Sequence, residues 1–293
     1  MTEERPAQTG GGTHVVVVAY GDSATLKPCL EALRGSYKMT VIDNSSSADT
    51  KLLVESFGFD YHDPGQNLGF AAGVNRALQL RAGISEDVLL LNPDAVIDSA
   101  GVETLSERLH ADPSLACVAP AQEGPSGSER VVWPVPSPWG AWLEAFGVGA
   151  LDSKPVFLIG SILLVKAEAL ADVGLLDERF FLYAEETDWQ IRALAKGWSV
   201  ALVPDVRAFH VGAGTGGDRS VRLRHFHASE ELLVRKHYGR FGWMSYRAAK
   251  LAGSALRAIV RTGSQRAEAI ERYHLFRAGP VRVRAEMGSS RAS

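Results

Sequence analysis

Three carboxylates, Glu185, Glu186 and Asp188, stand within four positions of the segment YAEETDWQIR, directly behind the aromatic run RFFLY. Acids spaced this way have two physical uses. In the first turn of a helix each is favoured by the macrodipole by about 0.3–1 kcal/mol. Asp188 can also pair with Arg192 one turn on, and Ile191, Leu194 and Trp198 supply the apolar stripe of such a helix. The other use is chemical: a carboxylate held against a hydroxyl accepts its proton as general base, a contribution of about 10²–10⁴-fold to rate. Helix formation alone leaves the aromatic lead-in unexplained, and it leaves unexplained why the acids follow a core strand. Trp189 has the same duality: an apolar face on which a sugar can stack, or a core residue.

A second set of polar residues recurs where apolar runs end. Strand-like HVVVVAY (14–20) leads into Tyr20-Gly21-Asp22, and KMTVID into Asp43-Asn44-Ser45-Ser46. DVLLL leads into Asn92-Pro93-Asp94, and a helix opens through Asn67-x-Gly69 and continues to Gly73 and Asn75. In open α/β sheets ligands bind at the carboxyl ends of the strands, so four such segments on one edge outweigh any one of them. No G-x-G-x-x-G follows the first strand and no G-x-x-x-x-G-K-[ST] is present, which removes dinucleotide and P-loop fingerprints. A carboxylate such as Asp43 can accept hydrogen bonds from a base or ribose. Asp94 can hold a hard divalent cation, which takes one or two protein carboxylates and completes its shell with phosphates. The combination suits a nucleoside diphosphate held without a P-loop.

The elements that must position these groups alternate as strand, helix, strand, helix, strand, helix, strand within the first hundred residues. This order predicts a doubly wound, mostly parallel α/β sheet flanked by helices. Expected boundaries are a flexible tail over 1–12, a ligand-binding half over 13–120, and a Pro/Gly/Trp-rich connector over 121–154. A catalytic half follows over 155–217 and a basic helical extension over 218–293. PVFLIGSILLV (155–165) reads as one buried strand, the acidic helix spans 184–196, and WSVALV (198–203) is another strand. Trp133, Trp139 and Trp142 in the connector either wall an acceptor or cover a sheet edge.

The chain has 293 residues, 46% of them hydrophobic, enough to bury a large core. Two cysteines, Cys29 and Cys117, argue against a disulfide framework and fit a reducing compartment. MTEERPAQTGGGTH has no apolar h-region, so no signal peptide is expected, and no run is long enough to span a bilayer. Net charge is only −3, yet from Arg235 onward thirteen Arg/Lys face three Glu. Such a tail is either a solvated basic helix or a contact with something anionic. Within it, Met244, Ala248, Leu251, Ala255 and Ile259 form one stripe bordered by Arg247, Lys250, Arg257 and Arg261. That pattern fits either an anionic membrane interface or a helix docked on the protein.

VIDNSS, NLGFAAGVN, LLLNPD, GSILLVKAEALADVGLLDERFFLYAEETDWQIRALAKGW and VPDVRAFHVGAGTGG resemble the family 2 glycosyltransferases, in the family's order and spacing over roughly residues 14–217. The rhamnosyltransferase branch, which builds cell-wall linkers and O-antigens, is the nearest match. The resemblance implies a GT-A fold and inverting transfer from a dTDP- or UDP-sugar, of rhamnose or another deoxysugar, to a saccharide or lipid-linked acceptor. It implies Asp43 at the base, with Ala19, Tyr20, Asn44, Asn67, Gly69, Asn75 and Asn92 around the nucleotide sugar. Asp94 matches the last acid of the D-x-D metal motif, with Asn92 replacing the first, and His210 in AFHVG matches a histidine that joins a Mg²⁺ or Mn²⁺ shell. The family's E-D-x-D places the base at Glu186, with Glu185 in reserve and Asp188 stabilising the helix or orienting the acceptor; Trp189 and Gly160 fall on the acceptor side. The implied location is cytoplasmic, peripheral on the inner membrane face, and nucleic acid is not an expected partner. Rival readings are a glycosyltransferase acting on a small metabolite, a nucleotidyltransferase, which needs a basic Gly-rich loop that AYGDSATLK does not supply, and a non-catalytic binding module driven by the basic tail.

Overall fold

The computed structural model describes residues 12–81, 85–149, 155–212 and 219–290. The expected tail, up to residue 11, and the end of VPDVRAFHVGAGTGG lie outside the described residues. The chain divides into two compact units: residues 1–132, 158–178 and 189–216 form the first, and residues 133–157, 179–188 and 217–293 the second.

The first unit is built on one nine-stranded sheet. Its strands are β1 (Thr13–Ala19), β2 (Lys38–Asp43), β3 (Asp60–His62), β4 (Asp87–Leu91), β5 (Ala95–Val96), β6 (Leu115–Gly124), β7 (Gly127–Glu129), β10 (Ile162–Val165) and β11 (Ser199–His210). They run in the order β3-β2-β1-β4-β10-β6-β11-β5, with β7 added to β6. β1, β2, β3 and β4 are mutually parallel, as are β6 and β11, whereas β10 runs antiparallel to both β4 and β6. The sheet is therefore mixed and mostly parallel, as expected.

Side chains alternate across a strand with period two, and here both faces are apolar. Val15, Val17, Leu89 and Leu91 pack with Leu26, Leu30 and Leu33 of α1 (Lys27–Leu33) and Val102, Leu105 and Leu109 of α4 (Ser99–Ala111). On the other face, Val16, Val18, Val88 and Leu90 pack with α3 (Phe70–Leu80), α6 (Ala167–Val173) and the later turns of α7 (Glu185–Ala195). Each fully buried Val or Leu contributes about 1.5–3 kcal/mol. A Cβ on Gly73 would lie 2.9 Å from the Val18 side chain, so α3 approaches β1 closely because position 73 has none. Both cysteines are free and buried, and burial pushes the Cys29 thiol up to about 12.

Three local expectations change. PVFLIGSILLV is two strands: β9 (Val156–Leu158) pairs with β8 (Val132–Pro134) in a separate ribbon, and after a turn at Gly160-Ser161 β10 joins the main sheet. β11 continues seven residues past Val203, crossing a register shift between Val203 and Arg207 where Pro204 can donate no ladder hydrogen bond. The connector holds a hairpin of β6 with β7, the strand β8, and a helix, α5 (Pro138–Ala145), capped by Ser137.

The second unit is helical: α5, α8 (Arg219–Val260, broken at Gly239 with φ 66°), α9 (Gly263–Ala278) and α10 (Pro280–Ser290). Ala141, Val234, Trp243, Tyr246, Ala249 and Phe276 form its core. Trp142 donates to Ser245 and stacks on Phe146, so this Trp is held within the unit, while Trp139 is exposed. The predicted stripe of α8 is divided: Met244 is 60% and Ile259 81% exposed, Leu251 packs against the core, and Trp243, Tyr246 and Ala249 outside the stripe point inward. The expected basic border is also largely engaged. Lys250 pairs with Glu144 at 2.7 Å and Glu230 at 3.5 Å, Arg257 pairs with Glu144 at 3.1 Å, and Arg247 donates to the carbonyls of Phe276 and Arg277.

Glu230 is buried among Lys250, His227 and Tyr246. Burial opposes its ionisation, but the cation and the two hydrogen bonds outweigh burial and hold its carboxyl well below the ordinary range. Its contribution is thus present above the unfolded-state value and is lost as pH falls through the lowered one. Lys250→Met is expected to cost about 3–5 kcal/mol by stranding that buried carboxylate, measured by urea unfolding. A loss under about 1 kcal/mol would show that His227 and Tyr246 hold Glu230 without the lysine.

Candidate active site

At the carboxyl ends of β1 and β2 the chain is held by Asp43 and Asn44. Asp43 is fully buried, and its carboxylate accepts from Ser45 N (2.9 Å), Ser45 Oγ (2.6 Å), Ser47 N (2.7 Å) and Tyr61 OH (3.0 Å). A carboxylate has about four lone-pair sites, and these four donors occupy them. Asp43 therefore builds the turn 44–47 in this structure rather than offering open oxygens to a base. Asn44 accepts from Leu68 N (3.2 Å) and donates to Gly69 O (3.0 Å), while its own N–H reaches Ala19 O at 2.9 Å. The polar ends of β1 and β2 and the entrance to α3 are thereby one connected piece. Asn67 closes an Asx turn onto Gly69 N (2.9 Å). Tyr20 projects, 51% exposed, and Asn92 and Gly160 are half-buried.

Two expected ligand contacts are instead structural. Asn75 uses its amide on Leu176 N, Leu176 O and Glu178 Oε1, at 2.9–3.1 Å, because a buried amide must find partners. Trp189 is 3% exposed, donates to Gly174 O at 2.8 Å and lies in the core beneath the sheet, so it presents no stacking face.

Asp94 and His210, 116 positions apart, are brought together by strand pairing. β5 runs antiparallel to β11 with His210 opposite Ala95, and Val211 N donates to Asp94 O at 3.1 Å. The side chains follow: His210 Nε2 lies 3.4 Å from Asp94 Oδ1, and its Nδ1 lies 3.3 Å from Glu129 Oε2. Burial works to lower the imidazole pKa, but the hydrogen bonds and charges of Asp94 and Glu129 raise it above the ordinary value. Glu129, on β7, was not singled out by the sequence, since SGSERVVW has no periodicity that marks it. Gln122 and Ser161 were likewise missed; Ser161 Oγ donates to Gln122 Oε1 at 2.7 Å, and Ser161 O accepts from Asn92 N.

The acids of α7 separate by environment. Asp188 has no exposed surface and pairs with Lys236 (2.6 Å) and His237 (2.8 Å), which tie it to α8. Glu185 is buried, and its Oε2 has no hydrogen-bond partner among the described residues. Burial, then the charge of Glu186, pushes its carboxyl well above the usual range. Glu186 is half-buried. Tyr183 (φ 70°) and Ala184 (φ 69°) immediately before them lie in the left-handed region, which costs a non-glycine residue about 1 kcal/mol or more. Strain of this kind concentrates where a chain must aim particular groups.

Comparison with known proteins defines the lineage. Residues 14–174 match the model of Glycosyl transferase family 2. The chain belongs to glycosyl transferase family 2. It is 27% identical over 208 residues to the low-salt glycan biosynthesis hexosyltransferase Agl10 of Haloferax volcanii, covering 67% of this chain and 66% of that protein. It is 29% identical over 210 residues to the N-acetylglucosaminyl-diphospho-decaprenol L-rhamnosyltransferase of Mycobacterium tuberculosis, covering 61% of this chain and 67% of that one. These matches thus span about two thirds of each relative's length. Among solved structures, the mannosyltransferase PcManGT of Pyrobaculum calidifontis, bound to GDP-Man and Mn²⁺, superposes with TM-score 0.54 at 15% identity over 98% of this chain and 88% of its own. Glucosyl-3-phosphoglycerate synthase of M. tuberculosis, with Mn²⁺, UDP and phosphoglyceric acid, gives 0.53 at 18% identity, covering 82% and 85%. The family 2 chain therefore has the GT-A fold that its motifs implied.

The elevated Glu185 carboxyl makes a stability prediction. Its folded pKa exceeds the unfolded one, so its contribution is full below the unfolded value and is lost as pH rises through the folded one. Glu185→Gln is expected to gain stability relative to the parent as pH is raised from mildly acidic to mildly alkaline, by about 1.4 kcal/mol per unit of elevation. Urea melts across that range check this; a pH-independent difference would place Glu185 in a solvated setting.

Proposed function

We propose that the protein is an inverting glycosyltransferase that moves a sugar, rhamnose or another deoxysugar, from a dTDP- or UDP-sugar to a saccharide or lipid-linked acceptor. The observation that carries this reading is the Asp94–His210 pair, assembled by β5 and β11 in a GT-A sheet. One carboxylate and one imidazole fit a Mg²⁺ or Mn²⁺ ion whose remaining positions fall to substrate phosphates. When bound, that cation supplies neutralisation of the charge that grows on the departing diphosphate.

The chain's own groups do the rest. Asn44, Asn67 and Gly69 shape the edge that meets the nucleotide, and Asp43 serves the base through the turn it holds. The acceptor hydroxyl gives its proton to Glu186 as its oxygen attacks the anomeric carbon; the bond to the diphosphate oxygen breaks, and configuration inverts. Glu185, whose carboxyl is pushed upward by burial and by the Glu186 charge, is the reserve candidate for the base. The kinship with a rhamnosyltransferase named for N-acetylglucosaminyl-diphospho-decaprenol supports a lipid-linked acceptor.

A lipid-linked acceptor requires access to a membrane surface, and no helix among the described residues is long and apolar enough to cross one. The outer face of α8 suits the interfacial role: Phe241, Met244, Leu256, Ile259 and Val260 are 47–81% exposed, with exposed Arg240 and Arg261 at its two ends. From residue 232 to 267 there are eight Arg/Lys and no Asp or Glu. We assign this face to an anionic lipid surface, peripheral on the inner side of the cell membrane.

Two measurements test these readings. Glu186→Gln keeps size but cannot take the proton, so diphosphate release from a panel of nucleotide sugars with acceptor should fall by about 10²–10⁴-fold with donor binding retained. If Glu185→Gln abolishes turnover and Glu186→Gln does not, the base is one residue earlier. For the membrane, sedimentation with vesicles should rise with anionic lipid, fall with salt, and drop sharply in Phe241→Ser/Ile259→Ser. Sedimentation unchanged in that variant would return the face to the protein's own solvent-exposed surface.

A further inference from the structure

Glu129 lies on a three-residue strand whose place in the sheet is fixed by its hairpin with β6: Gln122 pairs with Glu129, Glu123 with Ser128 and Gly124 with Gly127. On the other edge of β6, Gln122 and Glu123 pair with Ala208 and Phe209 of β11, which ends at His210. The Glu129 side chain is therefore delivered beside the imidazole by two independent pairings of one strand. Space is kept for its carboxylate. A Cβ on Gly124 would collide with Glu129 Oε1, and one on Gly212 would stand 3.0 Å from the same oxygen. The carboxylate meets His210 at Nδ1, on the side of the ring opposite the Nε2 that faces Asp94.

An isolated neutral imidazole carries its proton on either nitrogen, and only the unprotonated one can bind a metal. When a cation takes up Asp94, the carboxylate at Nδ1 is the one left to accept a ring hydrogen, and such partners also fix ring orientation. We propose that Glu129 is the positioning residue for His210: it accepts the Nδ1–H, holds the neutral ring in the tautomer whose lone pair is on Nε2, and aims that lone pair to the Asp94 side. The inference rests on the reading of Asp94 and His210 as cation ligands. It adds a carboxylate that binds neither sugar nor metal directly.

The test separates the two readings. In long-range proton–nitrogen NMR of the metal-free Asp94→Ala protein at alkaline pH, where Glu129 no longer competes with a carboxylate at Nε2, His210 should be in the Nδ1–H form, and adding Glu129→Ala should turn it into a mixture. Mn²⁺ titrations with nucleoside diphosphate present, followed by electron paramagnetic resonance, should show Glu129→Ala weakening Mn²⁺ about 10–100-fold. Glu129→Gln should recover much of this, since its amide oxygen still accepts from Nδ1–H. On a His210→Ala background, Glu129→Ala should have no further effect. If His210→Ala weakens Mn²⁺ while Glu129→Ala leaves both tautomer and affinity unchanged, positioning by Glu129 is overturned and the metal reading stands. If the tautomer shifts but neither Asp94→Asn nor His210→Ala alters Mn²⁺ affinity, the metal reading falls, and with it the role assigned to Glu129.

Discussion

The pairing of Ala95–Val96 with Phe209–His210 is only two residues long, yet the chemistry assigned to the first unit depends on it. It joins a turn that follows β4 to the last residue of β11, and it sets the register that lets an imidazole meet Asp94. A slip of one residue would send the His210 side chain to the other face of the sheet. What prevents the slip lies upstream, in the length of β11 and its parallel pairing with β6, whose apolar residues have one register that buries them. The bulge between Val203 and Arg207 lets the strand bend past Pro204 and still deliver His210 to the edge.

The acids of α7 show how environment divides residues of one chemical type. Asp188 is fully buried and paired with Lys236 and hydrogen-bonded to His237. Glu185 is driven toward its protonated form by burial and by its neighbour. Two acids adjacent in a low-dielectric setting cannot both ionise cheaply, and burial together with the Glu186 charge accordingly pushes the Glu185 carboxyl upward. The left-handed backbone at Tyr183 and Ala184 stores strain next to them, a cost that persists only where surrounding packing fixes the conformation.

In the second unit, charge that appears in sequence as a basic tail is largely consumed inside. Glu144 gathers Lys250 and Arg257, Glu230 gathers Lys250 and His227, and Arg247 caps carbonyls of α9. What is left outward on the latter half of α8 is mainly apolar. Its outward surface therefore presents exposed Phe241, Met244 and Ile259 with arginines at the ends, not a continuous basic stripe.

Local patterning was enough to reveal the alternating strands and helices, both apolar faces of the sheet, and the family motifs. Those signals are periodic or contiguous: a run such as HVVVVAY has one low-energy use, and NPD or EETD keeps its identity without neighbours. Partnerships between distant residues were not legible. Glu129 carries no local mark, Asn75 resembles a ligand contact until Leu176 and Glu178 take its amide, and Trp189 resembles a stacking platform until Gly174 takes its N–H. The stripe on α8 was visible, but not which way it faced, because a periodicity of 3.6 gives a helix two faces and only packing chooses between them. The sequence determined which residues could do chemistry and on which elements they stand. Tertiary structure alone decided which hydrogen-bonding groups were already satisfied within the fold, since a buried donor or acceptor takes whatever partner the topology brings within about 3 Å.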